Sequence, residues 1–183
     1  MAVYVHLADG FETIEALTIV DLLRRADIDV ETVSVTGSLK VNSAQDVEVI
    51  ADILFEDAVY DNCDMIVLPG GGGGAVTLAA HDGLMDKIYS FANTGKKISA
   101  ICASPSVVLG PVGILNGLKA CCYPTMEDGM KGAVVSMDAV VVSENIITSR
   151  GPATSIPFVL AIIESLRGKD AADKIAEDLL YSK

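Results

Sequence analysis

The chain has 183 residues, 51% hydrophobic and 21% charged; at about 150 residues per domain this predicts one domain spanning residues 1–183, able to bury roughly 70% of its unfolded surface. Such a composition excludes a disordered chain and removes any need for disulfide staples. Lys plus Arg number 13 against 25 Asp plus Glu, a formal net charge of −12, and there is no Trp; a surface of that sign repels phosphate backbones and anionic lipid, so neither nucleic acid nor a membrane is an expected partner.

Met1-Ala2-Val3-Tyr4-Val5 lacks a basic leader, and residues 2–8 read as a first strand rather than a signal peptide. A helix follows near 13–26, with Ile14, Leu17, Val20 and Leu23 at helical spacing, then a strand at 28–35 and a hairpin-like excursion at 39–52. Met65-Ile66-Val67-Leu68 is a continuously apolar strand that runs into Pro69 and five glycines. A helix fits 82–94, a strand 98–102, and a helix begins at Pro105 and runs to about Leu109. Residues 119–123 and 133–149 are β-rich, and helices near 153–166 and 170–181 close the chain. Apolar strands alternating with helices require a mainly parallel sheet covered on both faces, a three-layer α/β sandwich. No apolar run approaches the ~18 residues of a membrane span.

Four cysteines, Cys63, Cys102, Cys121 and Cys122, form no C-x-x-C pair, and His6 and His81 are the only histidines. No metal site is expected, and free thiols of this kind belong to a reducing compartment, the cytoplasm. The run Gly70–Gly74 satisfies G-x-G-x-x-[GA] with Ala75, but no acidic residue ends the next strand, and no Gly-Lys is followed by Ser or Thr. Neither a dinucleotide nor a nucleoside triphosphate is implied, and no cofactor is expected. The glycines form either a plain flexible connection or a nest of backbone N–H groups facing an anion.

Ala100-Ile101-Cys102-Ala103-Ser104-Pro105 has the pattern of a nucleophile elbow: a strand, a nucleophile, a helix, and small residues two before and two after. Cys102 would then stand at a helix N-terminus, with its thiol pKa lowered and the amide of Ala103 available to an oxyanion. The other reading of Cys102 is a buried strand residue among small neighbours. Glu15, in the first turn of the first helix, either compensates the helix dipole or meets Cys102 and Gly71 at the carboxyl edge of the sheet. His6 lies inside a strand and His81 in a polar turn, so neither suits the role of base to the thiol. Cys121 and Tyr123 share a face of a period-two segment, where Cys121 either approaches the site or packs in the core; Cys63, ahead of the Met65 strand, reads as structural or near-surface. The partner of Glu12 is open between Arg24, Arg25 and Arg150.

Four segments in order, 9–15 (Asp-Gly-Phe-Glu-Thr-Ile-Glu), 68–75 (Leu-Pro followed by five Gly and Ala), 100–105 and 148–154 (Thr-Ser-Arg-Gly-Pro-Ala-Thr), make the chain resemble the ThiJ/PfpI superfamily over nearly its whole length. The similarity is to the protein-deglycase-like branch of bacterial YajL and the human Parkinson-disease protein seven. The resemblance implies a flavodoxin-like sandwich, a homodimer and a reactive cysteine, here Cys102. It further implies that protonated Glu15 hydrogen-bonds the thiolate, that Gly71 and Ala103 line the oxyanion pocket, and that Gly70, Arg150 and Tyr123 lie nearby. Several relatives carry His where Tyr123 precedes Pro124, and proteolytic members carry it after the cysteine, where this chain has Ala103; a protease is therefore not expected. The expected function is cysteine-dependent, glutathione-independent detoxification of small reactive carbonyls, of glyoxalase or deglycase type. The alternative is a redox-stress sensor or chaperone using the same oxidation-sensitive thiol.

Overall fold

The computed structural model describes residues 1–182. Its strands and helices follow in chain order as β1 (Ala2–Leu7), α1 (Thr13–Arg25), β2 (Asp29–Ser34), β3 (Lys40–Asn42), β4 (Glu48–Ile50), β5 (Ile53–Leu54), β6 (Cys63–Leu68), α2 (Gly72–Ala79), α3 (Asp82–Thr94) and β7 (Lys97–Ile101). A π-helical turn, Pro105–Leu109, leads into the single turn α4 (Gly110–Val112). Then come β8 (Lys119–Ala120), β9 (Val134–Val135), β10 (Val140–Ser143), β11 (Ile146–Ser149), α5 (Ser155–Arg167) and α6 (Lys169–Asp178).

The main sheet has seven strands in the order β10-β11-β7-β6-β1-β2-β5. All neighbours are parallel except the antiparallel edge pair β10–β11. The order β2-β1-β6-β7-β11 is that of a flavodoxin-like sandwich, and its topological switch lies between β1 and β6. Strand alternation builds two cores. Val3, Val5, Leu7, Met65 and Val67 face one layer with α1, α5 and α6, while Tyr4, Ile66, Leu68 and Ile98 face the other with α2 and α3. Each large aliphatic side chain buried this way stabilises the fold by ~1.5–3 kcal/mol, which is why the strands read as unbroken apolar runs.

Several elements differ from the sequence expectation. The glycine run is only partly a loop, because α2 begins at Gly72; Gly70 and Gly71 alone form the connection from β6. The segment 119–123 pairs only at Lys119–Ala120, so Cys121 and Tyr123 do not share a strand face. Cys63 opens β6 and is fully buried, with its thiol donating to the Met65 carbonyl at 3.2 Å. On α1 the buried stripe is Glu15, Ala16, Ile19, Leu22 and Leu23, whereas Ile14 and Leu17 are exposed. An acid thus stands at a position that the helix period reserves for the core.

Candidate active site

β7 ends at Ile101, and Cys102 turns the chain with φ 64, a left-handed conformation unusual for a residue with a side chain. Strain of this kind costs about 1–3 kcal/mol and needs neighbours to hold it. They are present: the Cys102 N–H donates to the Ser149 carbonyl at 2.9 Å, and the Cys102 carbonyl accepts from the Tyr123 N–H at 2.7 Å. Ala100, Ala103 and Ser104 are buried around the turn, and Ser104 Oγ donates to the Pro69 carbonyl at 2.5 Å. The small residues of the elbow are what this crowding demands. The helix that follows opens as a π turn rather than a regular α-helix, so support for a thiolate from a long helix dipole is less than the sequence implied.

Glu15 is completely buried in the first turn of α1. Its Oε2 accepts the Gly70 N–H at 2.7 Å, and its Oε1 is buried with no hydrogen-bond partner among the described residues. Burial pushes the carboxyl up to about 7, while the Gly70 amide and the Cys102 thiol pull it the other way. A Cβ on Gly70 would lie 2.5 Å from Cys102 Cβ and 2.6 Å from Glu15 Oε2, so only glycine leaves room for carboxyl and thiol together. Gly71 has φ +94, and a Cβ there would meet the Gly10 carbonyl oxygen at 2.2 Å. The two loops are joined by Glu12 N–H to Gly70 carbonyl (2.9 Å) and Gly74 N–H to Gly10 carbonyl (3.2 Å). Close backbone packing, more than anion binding, explains these glycines; the Gly71 amide alone is left to the thiol.

The thiol itself departs from expectation. Burial, then the charge of Glu15, push Cys102 up to about 12, against the opposing pull of the Gly71 and Ala103 amides. A lowered thiol pKa, expected from a helix N-terminus, gives way here to the burial that the other reading of Cys102 implied. Two acids in this contact do not both ionise near neutrality, and they titrate as a unit.

Cys102, Gly71, Ala103 and Tyr123 line one cavity of about 310 Å³, together with Glu12 and Met126. Gly70 lies beneath it, and Arg150 lines a neighbouring cavity of about 280 Å³ instead. Glu12, Met126 and Pro152 are further wall residues; Glu12 and Pro152 carry a signal in the sequence, by their places in the 9–15 and 148–154 segments, and Met126 carries none. Glu12 Oε2 accepts from Gln45 Nε2 at 3.1 Å, whereas Arg24 pairs with Asp52 and Arg25 with Asp21. Cys121 is buried with its N–H on Thr148 Oγ1 and does not line the cavity. His6 is engaged with Tyr60, and His81 caps α3 by accepting the Leu84 N–H, so no histidine serves the thiol. Among the described residues no group of three or more His, Cys, Asp or Glu could hold a metal ion.

The model of the DJ-1/PfpI family matches residues 1–165. The chain belongs to this family. Arabidopsis thaliana protein DJ-1 homolog B is 38% identical over 178 residues, which are 97% of this chain but 41% of that protein. The chain therefore spans less than half the length of that relative. Caenorhabditis elegans glutathione-independent glyoxalase DJR-1.2 is 30% identical over 173 residues, 94% of this chain and 91% of the relative. The solved structure of oxidized Toxoplasma gondii DJ-1 superposes with a TM-score of 0.96 at 40% identity, covering 100% of this chain and 99% of that one. Membership of this family agrees with the flavodoxin-like sandwich described above.

Proposed function

We propose that this protein is a cysteine-dependent, glutathione-independent enzyme acting on small reactive carbonyls. The observation that carries the reading is the convergence of a strained Cys102, Gly71 and Ala103 at one cavity, with the fully buried Glu15 beside the Gly70 turn. Similarity to a relative named as a glutathione-independent glyoxalase supports the reaction class. In this reading the reactive form carries the charge on sulfur, against the burial that raises the thiol, with the Gly71 and Ala103 amides favouring it and Glu15 holding its proton.

The chemistry needs no external oxidant. The Cys102 sulfur adds to the aldehyde carbon of a 2-oxoaldehyde, and the resulting oxyanion lies against the Gly71 and Ala103 amides, taking a proton to give a hemithioacetal. Loss of the proton on that carbon gives an enediol, and return of a proton at the former ketone carbon gives a 2-hydroxy thioester. The aldehyde carbon is oxidised and the ketone carbon reduced within one molecule. Glu15 moves these protons, its pKa near neutrality suiting both acceptance and return. Water then cleaves the thioester, releasing the hydroxy acid and the thiol. Cys102→Ser is expected to lower lactate formation from methylglyoxal by at least about 10³-fold with the thermal unfolding curve retained; equal lactate output from the Ser variant would remove Cys102 from the mechanism.

The second reading, a redox sensor, is supported by the oxidized state named for the Toxoplasma gondii structure. There the thiolate would take one oxygen from each of two peroxide molecules, giving sulfinate and two waters. Intact mass after peroxide, beside lactate assays on the same sample, separates the two: sulfinate formation with no turnover favours the sensor. All four cysteines are free and buried, which supports a reducing compartment, the cytoplasm. A homodimer is part of the proposal, through the apolar face of Ile14 and Leu17 on α1.

A further inference from the structure

The cavity beside the site is not explained by a three-carbon substrate. At about 30 Å³ for a water-sized group, the five heavy atoms of methylglyoxal fill at most about half of the 310 Å³ around Cys102. The second cavity, about 280 Å³, adjoins the first through shared walls, Tyr123 and Pro152. Its other walls are mostly apolar, including Pro124, Met137 and Ala139, with Arg150 as its one charged residue.

Arg150 is a half-buried cation; among the described residues its side chain makes a single long hydrogen bond, Nη1 to the Met137 carbonyl at 3.5 Å, and enters none of the ion pairs. Asp138, the acid next to Met137, is already held by Lys119 and Ser136. Glu127 bears on Cys122, as Arg150 does, but Glu127 lines neither cavity. Of the other polar walls, Thr154 is tied to Gly151 and Ser149. In a chain of net charge −12, an unpaired guanidinium facing an apolar cavity is an anion-recognising group. One cation among apolar walls matches a monoanion; a phosphate of higher charge would be left short of donors. A planar carboxylate fits the guanidinium fork in two parallel hydrogen bonds.

We propose that the second cavity is a carboxylate subsite, and that the enzyme's substrates are 2-oxoaldehydes carrying a carboxylate beyond the reacting dicarbonyl. The dicarbonyl lies at Cys102, the linking methylenes pass between Tyr123 and Pro152, and the carboxylate pairs with Arg150. This rests on the carbonyl-enzyme reading of Cys102, and two readouts keep the two claims separable. The first is kcat/KM for 4,5-dioxopentanoate against its uncharged counterpart 2-oxopentanal. A charge-assisted pair predicts a preference of about 10- to 100-fold for the carboxylate substrate. The preference should fall to about one in Arg150→Gln and be partly kept in Arg150→Lys. Turnover of both aldehydes at equal kcat/KM in the wild type would overturn the subsite and leave the Cys102 mechanism standing. The second readout is binding of the inert product 2-hydroxyglutarate to Cys102→Ser, followed by calorimetry. Binding that is lost on adding Arg150→Gln supports the subsite even if no aldehyde is turned over; binding equally strong without Arg150 overturns it.

Discussion

In the proposed mechanism Glu15 and Cys102 form a pair in which the position of one proton decides reactivity. Glu15 is pushed up to about 7 by burial, and Cys102 is pushed up by burial and by the carboxylate when that is the charged partner. With sulfur as the site of the charge, Glu15→Gln leaves a weaker donor, so the thiol pKa rises modestly. Glu15→Asp, one methylene shorter, withdraws the donor and raises it more. Ultraviolet thiolate absorbance across a pH series measures this directly. A marked fall of the thiol pKa in Glu15→Gln would show that the carboxylate holds the charge in the wild type, and that relief of repulsion dominates. Turnover of methylglyoxal should fall by about 10²–10⁴-fold in Glu15→Gln, the range for loss of a proton-transferring group.

At the scale of elements, β1 carries a second buried titratable group. His6 is fully buried, its Nε2 is 2.7 Å from the Tyr60 hydroxyl, and its Nδ1 has no hydrogen-bond partner among the described residues. Burial lowers its pKa to about 3. In the unfolded chain the ring takes a proton near its ordinary 6.5, so stability is lost as pH falls from there towards 3, on the order of 5 kcal/mol at most. Glu15 has the opposite sign: raised in the fold, it adds stability at low pH that is lost as pH climbs through 7. Denaturation of His6→Leu against wild type isolates the histidine. The variant should show a shallower loss below pH 6.5; parallel curves would mean that His6 charges freely in the fold. β1, β2, β6, β7, α1, α3 and the last two helices are legible in the sequence, because apolar runs and helical period report burial directly. The two-residue edge strand β5 is not, nor is α2, since the glycines that open it carry no period, and the strand expected at 119–123 shortens to β8 because alternation there is produced by packing without a ladder. At the site, the elbow and Glu15 were legible from small-residue spacing and order. Met126 was not, since its place on the wall depends on how separate loops meet.

For the whole molecule, the apolar residues that remain in water are as informative as the buried ones. Ile14 is 57% exposed and Ile50 67%, with Leu17 and Val47 also exposed. Gln45, in the β3–β4 loop, bonds Thr13 and Glu12 at the start of α1, so helix and hairpin are tied together. A net charge of −12 keeps copies apart unless an apolar surface of this sort draws them together. Sedimentation should give twice the 19.1 kDa chain mass for the wild type and the chain mass itself for Leu17→Glu combined with Ile50→Glu. A wild type sedimenting as a monomer at micromolar concentration would refute the dimer.

The bond from the Cys102 N–H to the Ser149 carbonyl also sets an order of assembly. Ser149 ends β11, one of the last strands to be synthesised, whereas Cys102 emerges with β7 and Glu15 far earlier. Until β11 docks beside β7, that anchor for the left-handed turn at Cys102 is missing. Until then the growing chain lacks that partner strand, and the elbow takes its geometry only once this non-local pairing closes. The left-handed turn at Cys102 is in this sense a late product of folding, set by a strand that is synthesised well after the residue it holds.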